Sequence, residues 1–248
     1  MTSTSVTTSS TSRRSSAKAV DTRLAGTPVH ALWTSEADGD LREAGEGGWP
    51  APVPRDLAVR RVRQVHGADV VVVDTPVPVG TLPWASVLGR LPEADAVVAS
   101  GDGFALAVLT ADCASVALGS PEGVHAAVHV GWRGLGAGVL ARATEAMRAL
   151  GATAVVAGLG PCIGPCCYEF SEVDLDGLME SSGLQARGRT TWGALSLDLS
   201  AAVRGQLSRS EVSIVAASDV CTMCTPGYFS YRARGDEARQ ALLVWRRG

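Results

Sequence analysis

Between residues 94 and 130 four short apolar runs follow one another: "ADAVVAS", "FALAVLT", "SVALGS" and "VHAAVHV". Each is too short for a stable helix, is built from small and β-branched residues, and is set off from the next by Gly, Asp, Ser or Pro, the pattern of strands. No helix fits between consecutive runs. Neighbouring strands without intervening helices point to mixed α+β layers rather than a regular parallel βαβ fold.

The rest of the chain extends this pattern. "PVHALWTS" reads as a first strand, and "RDLAVRRVRQVHGADVVVVD" as two strands broken at Gly67. Residues 36–54 and 75–93, rich in Gly, Pro and acids or punctuated by Pro, read as connections. "GWRGLGAG" reads as a glycine-rich turn. Val139, Leu140, Ala143, Met147 and Leu150 then fall at helical spacing, with Gly151 placed to cap the helix. "TAVVAGLGPCIG" returns to strand, "EVDLDGLMESSG" is a helix, and "LSLDLSAAVRGQL" is a strand followed by a helix. "VSIVAASDVC" and "QALLVWRR" supply the last strands.

Composition bounds what such a layered domain does. With 248 residues, 46% of them hydrophobic, the chain can bury one sizeable core. A formal charge of −3 argues against nucleic acid or an anionic membrane as partner. No run approaches the ~20 apolar residues that span a bilayer. Residues 1–20 are Ser/Thr-rich, lack the apolar core of a signal peptide and are expected to be a disordered tail. Residues 21–248 then form a single domain, and a cytoplasmic location is expected.

The residues suited to chemistry are few. Of four histidines, His125 and His129 share a strand. Four residues along a strand span ~13 Å, so at most one of them can serve a given metal ion. His129, nearer the glycine turn, is the better placed. His66 precedes the strand-breaking Gly67, and Cys113 lies between two strands beside Asp112. Imidazole, thiolate and imidazole at strand ends would make a three-ligand zinc site with an open fourth position, but this long-range spacing has little specificity. From spacing alone, a buried cysteine acting as a small hydrophobe fits better. "HVGWRGLGAG" offers backbone N–H groups and Arg133 to an anion, without a nucleotide-binding fingerprint. In "GPCIGPCCYEF" and "CTMC", Cys221 and Cys224 form a CxxC that is either redox-active or half of a zinc site. The other half, Cys166 and Cys167, is adjacent rather than CxxC-spaced.

Taken in order, "RQVHGADV" (63–70), "LAVLTADC" (106–113), "HVGWRGLGAGVL" (129–140), "LGPCIGPCCYEF" (159–170) and "FSYRARGDEARQALLVW" (229–245) resemble the motifs of the YfiH-like family, also called laccase-domain or multicopper polyphenol oxidoreductase. The resemblance implies an α+β fold, a four-layer sandwich of mixed β-sheets flanked by helices. It also implies one zinc per chain on His66, Cys113 and His129. Asp112 and Arg133 become the catalytic candidates, and Gln64, Gly131, Trp132, Arg133 and Gly134 the substrate-binding ones.

The implied activity is zinc-dependent phosphorolysis of adenosine, inosine, guanosine or methylthioadenosine, so the partners are a small nucleoside and phosphate. Deamination of adenosine is also implied, with zinc activating water for attack at C6 and Asp112 carrying the proton. Editing of peptidoglycan precursors by amide hydrolysis and a catalytically silent zinc-binding relative are the alternatives. Copper is disfavoured, because four histidines cannot build the multicopper cluster that oxygen reduction needs. The chain departs from the family at "LWTSEADGD", where acids stand in place of an arginine.

Overall fold

The computed structural model describes residues 19–42, 44, 48–73 and 91–247. The predicted tail up to residue 18, Asp74 at the end of the second strand run, and residues 75–90 of the proline-punctuated connection lie outside the described residues.

Two mixed sheets stack face to face. The first has five strands in the order β1 (Val20–Arg23), β2 (Val29–Trp33), β13 (Gln240–Arg246), β6 (Phe104–Thr110) and β3 (Ala58–Arg61), antiparallel except for the β3/β6 pair. The second has six, in the order β12 (Ser213–Ala217), β9 (Val156–Leu159), β7 (Ala114–Gly119), β8 (His125–Val130), β5 (Ala96–Ala99) and β4 (Val70–Val73). Its two outer pairs are parallel and its inner pairs antiparallel. A ribbon of β10 (Arg187–Arg189) and β11 (Leu195–Leu197) stands apart. The helices are α1 (Trp132–Gly136), α2 (Val139–Ala149), α3 (Glu172–Ser182), α4 (Leu199–Arg209) and the short α5 (Tyr231–Arg234).

The apolar runs are explained by burial on both faces of the strands. Leu106, Val108, Leu242 and Val244 point between the sheets and meet Val97, Ala117 and Ala127. Their alternates Ala105, Ala107, Leu243 and Trp245 face outward, where Leu41, Trp49 and Val53 of a long loop cover them. The outer face of the six-stranded sheet, with Val98, Val116 and Val128, packs against Leu135, Leu140, Met147 and Val203 of the helices. Each buried Val, Leu or Met among them contributes about 1.5–3 kcal/mol by leaving water. The layers are therefore loop, sheet, sheet and helices, with α1 to α4 packed on the outer side of the six-stranded sheet. This is the mixed α+β class that the strand pattern implied.

The structure corrects several local readings. Val20, placed in the tail, pairs with Trp33 as the start of β1. "GWRGLGAG" is not a simple turn, since its first half winds into α1. The glycines permit close approach there. A Cβ on Gly134 would lie 2.6 Å from the carbonyl oxygen of Gly67, and one on Gly131 would lie 2.7 Å from Cδ2 of His66. Helix α2 ends as expected, with Gly151 at a φ of 96°.

Candidate metal centre and active site

The site lies at one end of the sandwich, where the chain passes between sheets. β6 belongs to the five-stranded sheet and β7 to the six-stranded one, so residues 111–113 make the crossing. Asp112 makes it with a φ of 92°, in the half of conformational space that non-glycine residues avoid at a cost of about 1–3 kcal/mol. Three hydrogen bonds hold it there. Thr222 Oγ1 donates to Oδ1 at 2.7 Å, the Arg232 backbone N–H donates to Oδ2 at 2.7 Å, and the Ile163 N–H donates to the Asp112 carbonyl at 2.8 Å.

This crossing brings Cys113 to two histidines. His129 lies near the end of β8, in register with Ser115 of β7. His66, with a φ of 60°, reaches across from the segment between β3 and β4. Its ring meets that of His129 edge-on, with centroids 4.9 Å apart, and its Nε2 is 3.8 Å from the Cys113 sulfur. One ligand atom from each of the three lies within 4.8 Å of the others. His125, at the far end of β8, instead donates from Nδ1 to the Gly123 carbonyl, and His30 stacks on Trp245.

A fully buried carboxylate that the sequence reading passed over organises this trio. Asp95 Oδ1 accepts from Nδ1 of His129 at 2.7 Å and from the His66 backbone N–H at 3.0 Å. Its Oδ2 accepts from the Gly67 N–H at 2.6 Å. The bond fixes the His129 tautomer and leaves Nε2 for a metal, the usual arrangement behind a metal-ligating histidine. Asp95 is the one charge in "ADAVVAS", which was its only trace in the sequence.

Electrostatics prepare the donors. Burial alone would raise the Cys113 thiol, but His129 and His66 outweigh it and draw its pKa from 9.0 down to about 6. Burial would lower His129, yet the Cys113 thiolate and Asp95 raise it to about 9. Asp95 is also pushed upward by burial and ends below the usual carboxylate range because of His129 and the backbone donors. A metal ion entering the site would displace the His129 proton. Two imidazoles and a thiolate fit a single borderline-soft ion with an open position. Only two of the four histidines reach the site, too few for a multicopper cluster.

A cavity of about 520 Å³ opens over the trio. Asp112, Arg133, Trp132 and Gln64 line it, as do Tyr168, Tyr231, Arg42, Arg232 and Arg239, which the sequence reading did not single out. The Gln64 side chain both donates to the Leu109 carbonyl at 2.7 Å and accepts from the Leu109 N–H at 2.8 Å, so it stitches β6 to the loop bearing His66. Gly131 and Gly134 are buried behind the lining. The Arg133 guanidinium lies 4.5 Å over the Trp132 ring, and among the described residues it has no ion-pair partner. Arg232 lies 5.0 Å over Tyr168, whose phenol burial pushes up to about 12. Arg42, two residues beyond "LWTSEADGD", is held by Asp40 at 2.8 Å. Among the described residues no helix is long and apolar enough to cross a membrane.

The chain is similar to several known proteins. A purine nucleoside phosphorylase of Streptomyces coelicolor is 44% identical over 187 residues, covering 74% of this chain and 73% of its own. One of Xylella fastidiosa is 37% identical over 191 residues, covering 74% and 70%. Among solved structures, the Neisseria meningitidis protein NMB0706 superposes with a TM-score of 0.72 at 28% identity, covering 94% of this chain and all of that one. YlmD of Geobacillus stearothermophilus superposes at 0.71 with 25% identity, covering 91% and 93%. The family model described as multi-copper polyphenol oxidoreductase laccase matches residues 53–247, which include His66, Cys113 and His129 and most of the cavity wall, and the chain belongs to that family.

Proposed function

We propose that this protein is a zinc-dependent purine nucleoside phosphorylase acting on adenosine, inosine, guanosine or methylthioadenosine. The observation that carries the reading is the joining of two features in one cavity: the His66–Cys113–His129 trio and an arginine-bearing wall of aromatic rings. The relatives named purine nucleoside phosphorylases support it. In phosphorolysis a phosphate oxygen bonds to C1′ of the ribose. The bond from C1′ to the base nitrogen breaks, and the base leaves with the electron pair and takes up a proton.

Zinc on the trio would supply a Lewis acid at the base of the cavity. The chain's own residues supply the rest. Arg133, steadied by its stack on Trp132, offers a planar fork to phosphate. Tyr168 keeps its proton at neutral pH and is a hydrogen-bond donor in the cavity wall for the base. Asp112 has both carboxylate oxygens engaged, so its role is to hold Thr222 and the start of α5 against the site and to present Cys113. That replaces the proton-carrying role expected from its position beside the thiol. Adenosine deamination, the second activity the resemblance implies, is read in the same assay as conversion to inosine.

The test is chromatographic release of free base from adenosine, inosine and guanosine, with and without phosphate, on metal-analysed protein and on Cys113→Ala. Release that requires phosphate and is lost in Cys113→Ala is expected. No release from protein carrying about one metal ion at the trio overturns the reading.

A further inference from the structure

A second cluster of soft ligands lies outside the described centre. The sulfurs of Cys166, Cys167, Cys221 and Cys224 all lie within 4.8 Å of one another, though the chain separates the two pairs by more than fifty residues. We propose that these four cysteines bind a second zinc ion, which fastens the 162–170 loop to the 218–227 loop and so shapes one wall of the cavity. The inference stands apart from the phosphorylase reading, because it concerns other residues and has its own readout.

The geometry favours a metal over a disulfide. Four thiolates around zinc at ~2.3 Å form a tetrahedron whose sulfurs are ~3.8 Å apart. The Cys166 and Cys224 sulfurs lie 3.9 Å apart, well beyond the ~2.05 Å of a disulfide. All four cysteines are free. Four soft thiolate donors select zinc among common divalent ions. The Gly164 backbone N–H donates to the Cys221 sulfur at 3.2 Å, the kind of outer contact that stabilises a metal thiolate.

The surroundings give such an ion a purpose. Neither loop carries a helix or strand of its own around the cysteines, and the apolar cluster between them is small, centred on Ile163, Cys167 and Cys221. That is little burial to order two loops, the situation in which structural zinc supplies folding energy. The loops reach the site directly. Ile163 and Tyr168 line the cavity, and Thr222, between the two cysteines of "CTMC", donates to Asp112 beside Cys113. Cys162 packs into the helical core and takes no part.

The test uses the full chain purified without chelators, with zinc per chain measured by elemental mass spectrometry. Expected values are about two for wild type, one for Cys113→Ala, one for Cys224→Ser and none for the double variant. Should Cys224→Ser fail to fold, Cys113→Ala decides. Its remaining ion, exchanged for cobalt, is expected to show the thiolate-to-cobalt charge-transfer absorption of a four-sulfur tetrahedral site. Full zinc retention in folded Cys224→Ser overturns the proposal. So does a Cys113→Ala protein that binds no zinc or cobalt, or a disulfide among the four cysteines found by mass spectrometry of the native protein.

Discussion

The Nδ1 atom of His129 lies 2.7 Å from Oδ1 of Asp95, and both side chains are buried. The same carboxylate receives the N–H groups of His66 and Gly67, so one residue orients two of the three side chains of the trio. Asp95→Asn keeps the shape and removes the charge. Zinc affinity at the trio is expected to fall about 10- to 100-fold, as for other partners of metal-ligating histidines. Competition against a chromogenic chelator checks this, and unchanged affinity would place the orienting role elsewhere.

Arg133 lies in the cavity wall with an aromatic ring beneath it and no carboxylate opposing it among the described residues. A charge-assisted contact of about 1.5–3 kcal/mol corresponds to about a 10- to 100-fold change. Arg133→Ala is therefore expected to lower kcat/KM for phosphate by that factor while the affinity for nucleoside changes little. Unchanged phosphate dependence would remove Arg133 from the phosphate site.

Helix α1 approaches the His66 loop at Gly134, where there is no room for a methyl group beside the Gly67 carbonyl. Gly134→Ala forces these backbones apart, and overpacking of this kind costs about 1–3 kcal/mol. Thermal denaturation should show a lower Tm, and because His66 moves with its loop, zinc retention should fall with it. A variant with wild-type Tm and metal content would show that the contact relaxes freely.

His125 is fully buried, and desolvation lowers its pKa from 6.5 to about 4; nearby Arg246 adds to this, while its hydrogen bond to Gly123 and the charge of Asp102 oppose it. Its folded pKa lies below its unfolded value. Between pH 6.5 and 4 the unfolded chain therefore binds the proton that the folded chain refuses. Stability is fully present above pH 6.5 and declines through that window by an amount on the order of 3 kcal/mol. His125→Asn, which can still donate to Gly123, should flatten the decline. Urea denaturation at pH 7, 5.5 and 4.5 compares the slopes, and identical slopes would assign the acid sensitivity to other groups.

The sequence alone determined the layered α+β class and most of the strands, because burial on both faces leaves a local apolar pattern, as in "FALAVLT" and "VHAAVHV". It separated His129 from His125, because the pitch of a strand is independent of the rest of the fold. The ordered motifs pointed to His66 and Cys113. Strand β1 escaped notice because "VDTR" is short and mostly exposed, leaving no apolar signature. "GWRGLGAG" was misread because its glycines answer to a neighbour 67 residues earlier in the chain, not to turn geometry.

Tertiary structure decided the rest. Asp95 became the partner of His129, Asp112 turned both its oxygens to Thr222 and Arg232, and four cysteines from two loops met. None of these relationships has a period or a spacing. Each depends on which strand ends and loops the stacked sheets carry to the same edge, and local sequence does not encode that meeting point.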